Sequence, residues 1–593
     1  MRAPELGELT AFPGVAVDEV DGVPVLLAPR EGNMSGGIVF RVGSAHETLA
    51  TSGITHLVEH LALREQVLSE AHLNGQTHAG VTLFHVTGSA SDVVGYLNDV
   101  CAALRDLPLD RIETEKDILR SEAGARSPGF TGRLRLNRHG ARGLGLVRNG
   151  ERGLDRLTAD EVRDWAATWF TRGNAVAWFT GDALPDGLDL RLPEGSHMPA
   201  PPLTDVLGAT PAYLTGLRDG VALDAILPRG DAASVTALVL REVLHRDLRA
   251  DADLAGSVDV TYEGLDDEHA RIDVAVQAVE GRQDAVVGGV LDALGGLRYH
   301  VADADLAAAR ALAAEDLAAF AAAPAADHLP GLAFQMVTGR PLKSADEMRA
   351  AVDRVTADDV RAMTRRLWDG ALWFAPEPLD RVGVVEAPRW SAQPAVGRAF
   401  PRIDAPDVSV VLASDGVGHV APDGGVTVRF ADCVLLEVWP DGARALTGTD
   451  GFRVVVEPTL YDGLTAVDVA WHVDAHVPAD VVVQMPERAA GDIPVPTPAP
   501  APARRRRRTT TRRAPDPAEV ELELPSVEEP RSVPATVGLV VALWVGGLLL
   551  LGGGQLLLER ALDTELRLGI LPVLALVWAT FGLINRRHPR QKR

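Results

Sequence analysis

The 593-residue sequence predicts an α+β protein: two similar halves of mixed helix and strand, a small β domain and a two-helix transmembrane hairpin. Three observations carry this. Leu157-Thr158-Ala159-Asp160-Glu161-Val162-Arg163 returns 198 residues later as Val355-Thr356-Ala357-Asp358-Asp359-Val360-Arg361, each reading as a helix start with Thr at the N-cap and an acid three positions on. Residues 400–486 are rich in Val and Asp, with short strand-like runs separated by turn signals such as Pro440-Asp441-Gly442. Finally, Val533–Leu558 carries no charge over 26 residues, and Leu568–Ile584 is a second apolar run. The expected boundaries are 1–195 and 196–390 for the halves, 400–486 for the β domain, 487–531 for a linker, and 533–558 and 568–585 for the spans.

In the first half, Gly22–Leu27 and Gly37–Val42 read as a strand pair around the turn-rich stretch Arg30–Ser35. Asn74-Gly75-Gln76-Thr77 precedes a strand at Thr82–Gly88. Helical patterns follow over Ser89–Arg105 and Leu109–Arg126, and Ala175–Thr180 reads as a closing strand. Between the first strands and Asn74 lies Thr55-His56-Leu57-Val58-Glu59-His60, an H-x-x-E-H motif in a helix-forming context. Residues four apart project from one helix face, so His56 and His60 can bind one metal ion, with Glu59 beside them to take a proton from a water. The competing reading is a solvated helix face. The second half echoes the motif as Val235-Thr236-Ala237-Leu238-Val239-Leu240-Arg241, with its metal-binding residue types replaced.

Gly43-Ser44-Ala45-His46-Glu47 followed by Gly53–Leu61, together with the armed-then-unarmed layout, resembles the pitrilysin/insulinase family of zinc metallopeptidases, in its short, processing-peptidase-like branch. The likeness covers about residues 14–390. It implies two α/β-sandwich halves of the pitrilysin/processing-peptidase type. It also implies one Zn²⁺ per chain, held by His56, His60 and Glu122, with Glu59 as the catalytic base. Glu115, seven residues before Glu122 and on the same helix face, would hold a metal-binding histidine. Substrate contacts would come from Arg249 and Asn74, with a peptide adding as a strand near Asn74 and Thr77; a plain turn is the alternative at Asn74-Gly75. The resemblance further implies a homodimer enclosing a peptide chamber. Two features depart from the family: only 61 residues separate His60 from Glu122, and Gly256 stands where the family's second-half Tyr belongs, with Tyr262 in the strand beyond. The rival function is a catalytically silent binding or scaffold protein that keeps the fold.

The C-terminal third adds a tether. Residues 400–486 read as hairpins, a little like a pleckstrin-homology-like fold. The linker is Pro-rich, then basic at Arg504–Arg513, then acidic, a composition expected to be disordered. The Arg cluster before two spans points to anionic lipid. Basic residues flank the outer ends of both spans, so both termini and the body are expected on the cytoplasmic side of a cell membrane. The net charge is −24 overall, and residues 501–593 hold 15 Lys+Arg against 9 Asp+Glu. The body is therefore more acidic than the whole, which argues against nucleic acid as partner. Two cysteines outside any C-x-x-C pattern, and no leader in Met1–Arg30, fit a reducing cytoplasm.

Overall fold

The first half is organised on a seven-stranded sheet, ordered β1-β2-β3-β7-β4-β6-β5. Its strands are β1 Gly7–Glu8, β2 Ala16–Val20, β3 Val23–Ala28, β4 Met34–Phe40, β5 His72–Thr77, β6 Thr82–Gly88 and β7 Ala175–Thr180. The computed structural model describes residues 7–63, 72–125, 129–148, 150–250 and 252–497, and those up to Pro494 belong to one compact unit. Helices α1 Ile54–Leu63, α2 Ala90–Arg105, α3 Ile112–Ala125, α4 Gly129–His139 and α5 Ala159–Trp169 complete this half. The strands read from sequence as a pair, β3 and β4, are not neighbours. The late strand β7 lies between them, parallel to β3 and antiparallel to β4. Nor does Asn74-Gly75 form a turn ahead of a strand: it lies inside β5, paired with His85 and Phe84 of β6.

The second sheet repeats this order. Its strands are β8 Ala212–Thr215, β9 Gly220–Pro228, β10 Ala255–Gly264, β11 His269–Ala278, β12 Leu372–Ala375 and β13 Val385–Glu386, in the order β10-β11-β9-β12-β8-β13. Thus β10-β11-β9-β12-β8 matches β5-β6-β4-β7-β3 strand for strand. Helices α6 Asp231–Leu244, α7 Gln283–Leu297, α8 Asp303–Ala322, α9 Ala325–Val337, α10 Ala345–Arg354 and α11 Ala357–Asp369 follow. The degenerate echo of the motif falls on α6, the counterpart of α1. Both repeated helix starts are capping boxes, Thr158 with Glu161 on α5 and Thr356 with Asp359 on α11.

Each half lends a helix to the other. Alternate residues of β3 face opposite ways: Val23 and Val25 join the core under α1 and α2, whereas Leu26 and Ala28 join a second core with Leu329, Leu332 and Met336 of α9. In return, Leu134 of α4 packs with Ala212, Leu214, Ala222 and Leu372 of the second sheet. Both sheets are therefore covered on both faces.

Beyond residue 390 stand two four-stranded sheets. One comprises β14 Gly397–Pro401, β15 Ser409–Ala413, β16 Gly416–Ala421 and β17 Gly424–Arg429. The other has the order β20-β19-β18-β21, with β18 Cys433–Val438, β19 Arg444–Gly448, β20 Arg453–Val456 and β21 Val482–Gln484. They share one core, closed by helix α12 Ala466–Val473. Hairpins alone do not account for the domain, because α12 intervenes and β21 joins β18 in parallel. The linker also starts later than residue 487. Arg488 makes two hydrogen bonds to Glu457 and a third to Asp441, and Thr459 Oγ1 donates to the Pro494 carbonyl. The rest of the linker from residue 498, Arg504–Arg513 and both spans lie outside the described residues. Among the described residues no helix is long and apolar enough to cross a membrane.

Candidate metal centre

Helix α1 begins at a buried anchor. The carboxylate of Glu47 accepts from the backbone N–H groups of Gly53 and Thr55, both at 2.9 Å, satisfying donors that a helix N-terminus leaves unpaired. Ile54, Leu57, Val58 and Leu61 then bury one face of α1 in the first-half core. That fixes the opposite face, which carries His56 and His60 with ring centroids 4.7 Å apart and planes at 88°.

Glu122, on α3, comes to both imidazoles: 3.8 Å from His56 Nε2 and 3.8 Å from His60 Nε2. These separations exceed a hydrogen bond. They approach the spacing of two ligands on one small cation, roughly 3.4 Å for bonds near 2.1 Å. The three ligand atoms lie within 4.8 Å of one another, the one such group of three among the described residues. The other face of each imidazole is engaged. His56 Nδ1 is 2.7 Å from Glu151 Oε1, and His60 Nδ1 is 3.5 Å from Glu115 Oε2. A carboxylate only accepts, so Nδ1 of His56 carries the proton and its Nε2 lone pair faces Glu122. This is the arrangement by which carboxylates orient metal-binding histidines. The donor set fits a divalent cation. Glu122 keeps 42% of its side-chain surface in solvent, so the centre is open on one side.

Glu59 lies buried beside the cluster, and its Oε2 accepts from Thr77 Oγ1 at 2.8 Å. Burial pushes its carboxyl above the usual range; His56, the Thr77 hydroxyl and His60 oppose the rise, and Glu122 adds to it. Strand β5 passes so close that a Cβ on Gly75 would meet Glu59 Oε1 at 2.7 Å. Gly75 is thus what lets the outermost strand of the sheet lie against the acid. Tyr96 Oη donates to the Asn74 carbonyl at 2.8 Å and pins that strand.

His56, Glu59, His60, Glu115 and Glu122 converge as a unit, with Asn74 on the adjoining strand. Arg249 is not in that group: it stands exposed in the π-helical segment His245–Ala250 that continues α6. Gly256 falls at a β-bulge, where the register slips between Ala255 and Ser257. Tyr262 is 8% exposed in the second core and takes the Gly230 N–H on its hydroxyl. Glu151 was not evident from the sequence. It sits 95 residues from His56 in irregular chain, and the one signal was the run Glu151-Arg152-Gly153, whose glycine allows close backbone approach.

No family model matches the sequence, and no curated protein matches it. Solved structures do match in fold. The periplasmic protease PqqL from Escherichia coli aligns with a TM-score of 0.52 and 13% identity, covering 71% of this chain and 56% of that one. A protease from Helicobacter pylori aligns at 0.51 and 17%, covering 62% of this chain and all of that one. An inactive M16 peptidase domain from Pseudomonas fluorescens aligns at 0.50 and 16%, covering 63% and 99%. The two-sheet body of this chain has the fold of the M16, pitrilysin/insulinase-like peptidases.

Proposed function

We propose that the protein is a zinc metallopeptidase anchored to the cytoplasmic face of a cell membrane. The observation that carries this reading is the convergence of His56 Nε2, His60 Nε2 and the Glu122 carboxylate beside the buried Glu59. When bound, a divalent ion such as Zn²⁺ would polarise a peptide carbonyl and make a water molecule acidic. His56, His60 and Glu122 hold the ion, and Glu151 and Glu115 hold the two imidazoles in orientation. Glu59, raised in proton affinity by burial and steadied by Thr77, takes a proton from water and returns it to the leaving amine. Strand β5, with Asn74 and Thr77, offers an outermost strand beside Glu59 on which an extended peptide can lie. Arg249 is assigned a more distant substrate contact. The apolar runs 533–558 and 568–585 are the membrane anchor, Arg504–Arg513 meets anionic lipid, and two copies enclose the peptide chamber.

The test is hydrolysis of a mixture of unstructured peptides by the Zn²⁺-loaded full-length chain, beside Glu59→Gln and a chelator-treated sample. Cleavage that both controls lower by about 10²-fold or more supports the assignment. One observation favours a silent scaffold: Gly256 occupies a bulge and Tyr262 is buried, so neither offers a hydroxyl to substrate. Tight metal binding with no cleavage of any peptide would establish that second reading.

A further inference from the structure

The β domain touches the first half at the segments that build the metal centre. Strand β18 is buried on both faces. Leu436 faces its own core, whereas Leu435 packs with Leu49 and Ala50, just ahead of α1, and Val483 of β21 joins them. Two positions on from Leu435, Glu437 points the same way. It is 4% exposed, and both its oxygens take Arg152 Nη1, at 3.0 and 3.2 Å. Arg152 directly follows Glu151, which holds His56. The same short segment is wedged against the entry to α1. Gly153 N donates to Ser52 Oγ at 3.1 Å, and a Cβ on Gly153 would come within 2.6 Å of Ser52 N. A Cβ on Gly53 would likewise meet the Glu151 Cβ at 2.9 Å.

From this geometry we infer that the β domain is a positioning element of the metal centre: Glu437, through Arg152, sets the place of Glu151 and so the orientation of His56. Arg152 and Glu437 are not in the group of metal-ligating residues, and they act through Glu151. A buried carboxylate fixed from both sides suits this task. Arg453 Nη2 donates to Glu437 Oε2 at 2.6 Å from within the β domain, so the acceptor is held before Arg152 arrives. The inference rests on the metal-centre reading.

The test measures the affinity of the full-length chain for Zn²⁺ by competition with a chelator, in Arg152→Met, Arg152→Lys, Arg453→Met and Glu151→Gln, and in Arg152→Met combined with Glu151→Gln. Removing a group that orients a ligand costs 10–100-fold in metal affinity, so Arg152→Met is expected to lose about 10-fold. Arg152→Lys recovers part of the loss, and Arg453→Met, which leaves Glu437 paired with Arg152 but held from one side, loses less than Arg152→Met. The deciding comparison is the pair: with Glu151 already replaced, Arg152→Met changes affinity by less than about 2-fold. A merely structural role predicts the opposite, equal losses in both backgrounds. Equal losses, or parent affinity in Arg152→Met, overturn the inference while leaving the metal centre standing. A parent chain that binds no Zn²⁺ overturns both.

Discussion

Arg138 of the first half and Asp224 of the second form an ion pair that is 2% and 0% exposed. Arg138 Nε and Nη2 both donate to Asp224 Oδ1, at 2.8 and 2.6 Å, and Nη2 also reaches the carbonyls of Asp224 and Gly370. The pair sits where α4 lies on the second sheet, so one buried charge pair joins the halves at the exchanged helix. Two charges withdrawn from water add little net stability, but removing one partner strands the other. Asp224→Ala is therefore expected to destabilise the protein by about 3–5 kcal/mol in urea unfolding. A loss below about 1 kcal/mol would mean that Arg138 finds water once its partner is gone.

The two carboxylates behind the histidines are not equivalent. Glu151 is 2.7 Å from His56 Nδ1, a strong charge-assisted hydrogen bond, whereas Glu115 is 3.5 Å from His60 Nδ1 and is also met by Arg111 at 3.8 Å. Glu151→Gln should therefore weaken Zn²⁺ binding more than Glu115→Gln, with the larger effect in the range of about 10–100-fold. Equilibrium dialysis of the two variants decides the order, and the reverse order would contradict the geometry.

Much of the centre was legible because its chemistry is local. His56 and His60 are four residues apart, so helical spacing alone aligns them, whereas Glu115 and Glu122, seven apart on one helix face, were assigned by the family resemblance. The parts that escaped are those held by distant chain. Glu151 reaches His56 through a segment with no periodicity to read. Asn74-Gly75 has the composition of a turn, yet Gly75 is required because a side chain would strike Glu59. The apolar stripe on α9 announces burial, but nothing in its spacing says that the first sheet, and not its own, receives it. Likewise, β3 and β4 are close in sequence and match as strands, and only the arrival of β7 separates them.

Stability should fall on mild acidification, and His139 is one cause. It is 1% exposed, its Nδ1–H donates to the Thr204 carbonyl, and its buried Nε2 has no hydrogen-bond partner among the described residues. Burial pushes its pKa down to about 4. In the unfolded chain the imidazole gains its proton near pH 6.5. Between pH 6.5 and 4 the unfolded state binds more protons, so the stabilisation present above pH 6.5 is lost as pH falls, by up to about 3 kcal/mol. His139→Asn cannot titrate. It should start less stable at pH 7 but lose less between pH 7 and pH 4.5, as read by chemical unfolding at the two pH values. Equal losses in both proteins would remove His139 from the account.

Glu47 acts in the opposite sense. Its carboxyl is buried under the entry to α1, and burial pushes it up to about 7, against the hydrogen bonds from Thr55 and Gly53. An unfolded glutamate loses its proton near pH 4.5. Between those values the native state holds a proton that the unfolded state has released, so this residue's contribution to stability declines as pH rises from about 4.5 to 7. The full swing is about 3 kcal/mol. Glu47→Gln keeps an acceptor for one of the two backbone N–H groups and removes the titration. Its stability relative to the parent should therefore be lower at pH 4.5 and should recover towards the parent as pH approaches 7.5. Unfolding curves at four pH values across that window measure the difference directly. A difference that stays constant with pH would mean that Glu47 has the same proton affinity in both states, and its place at the N-terminus of the metal-bearing helix would then be purely that of a hydrogen-bonding cap.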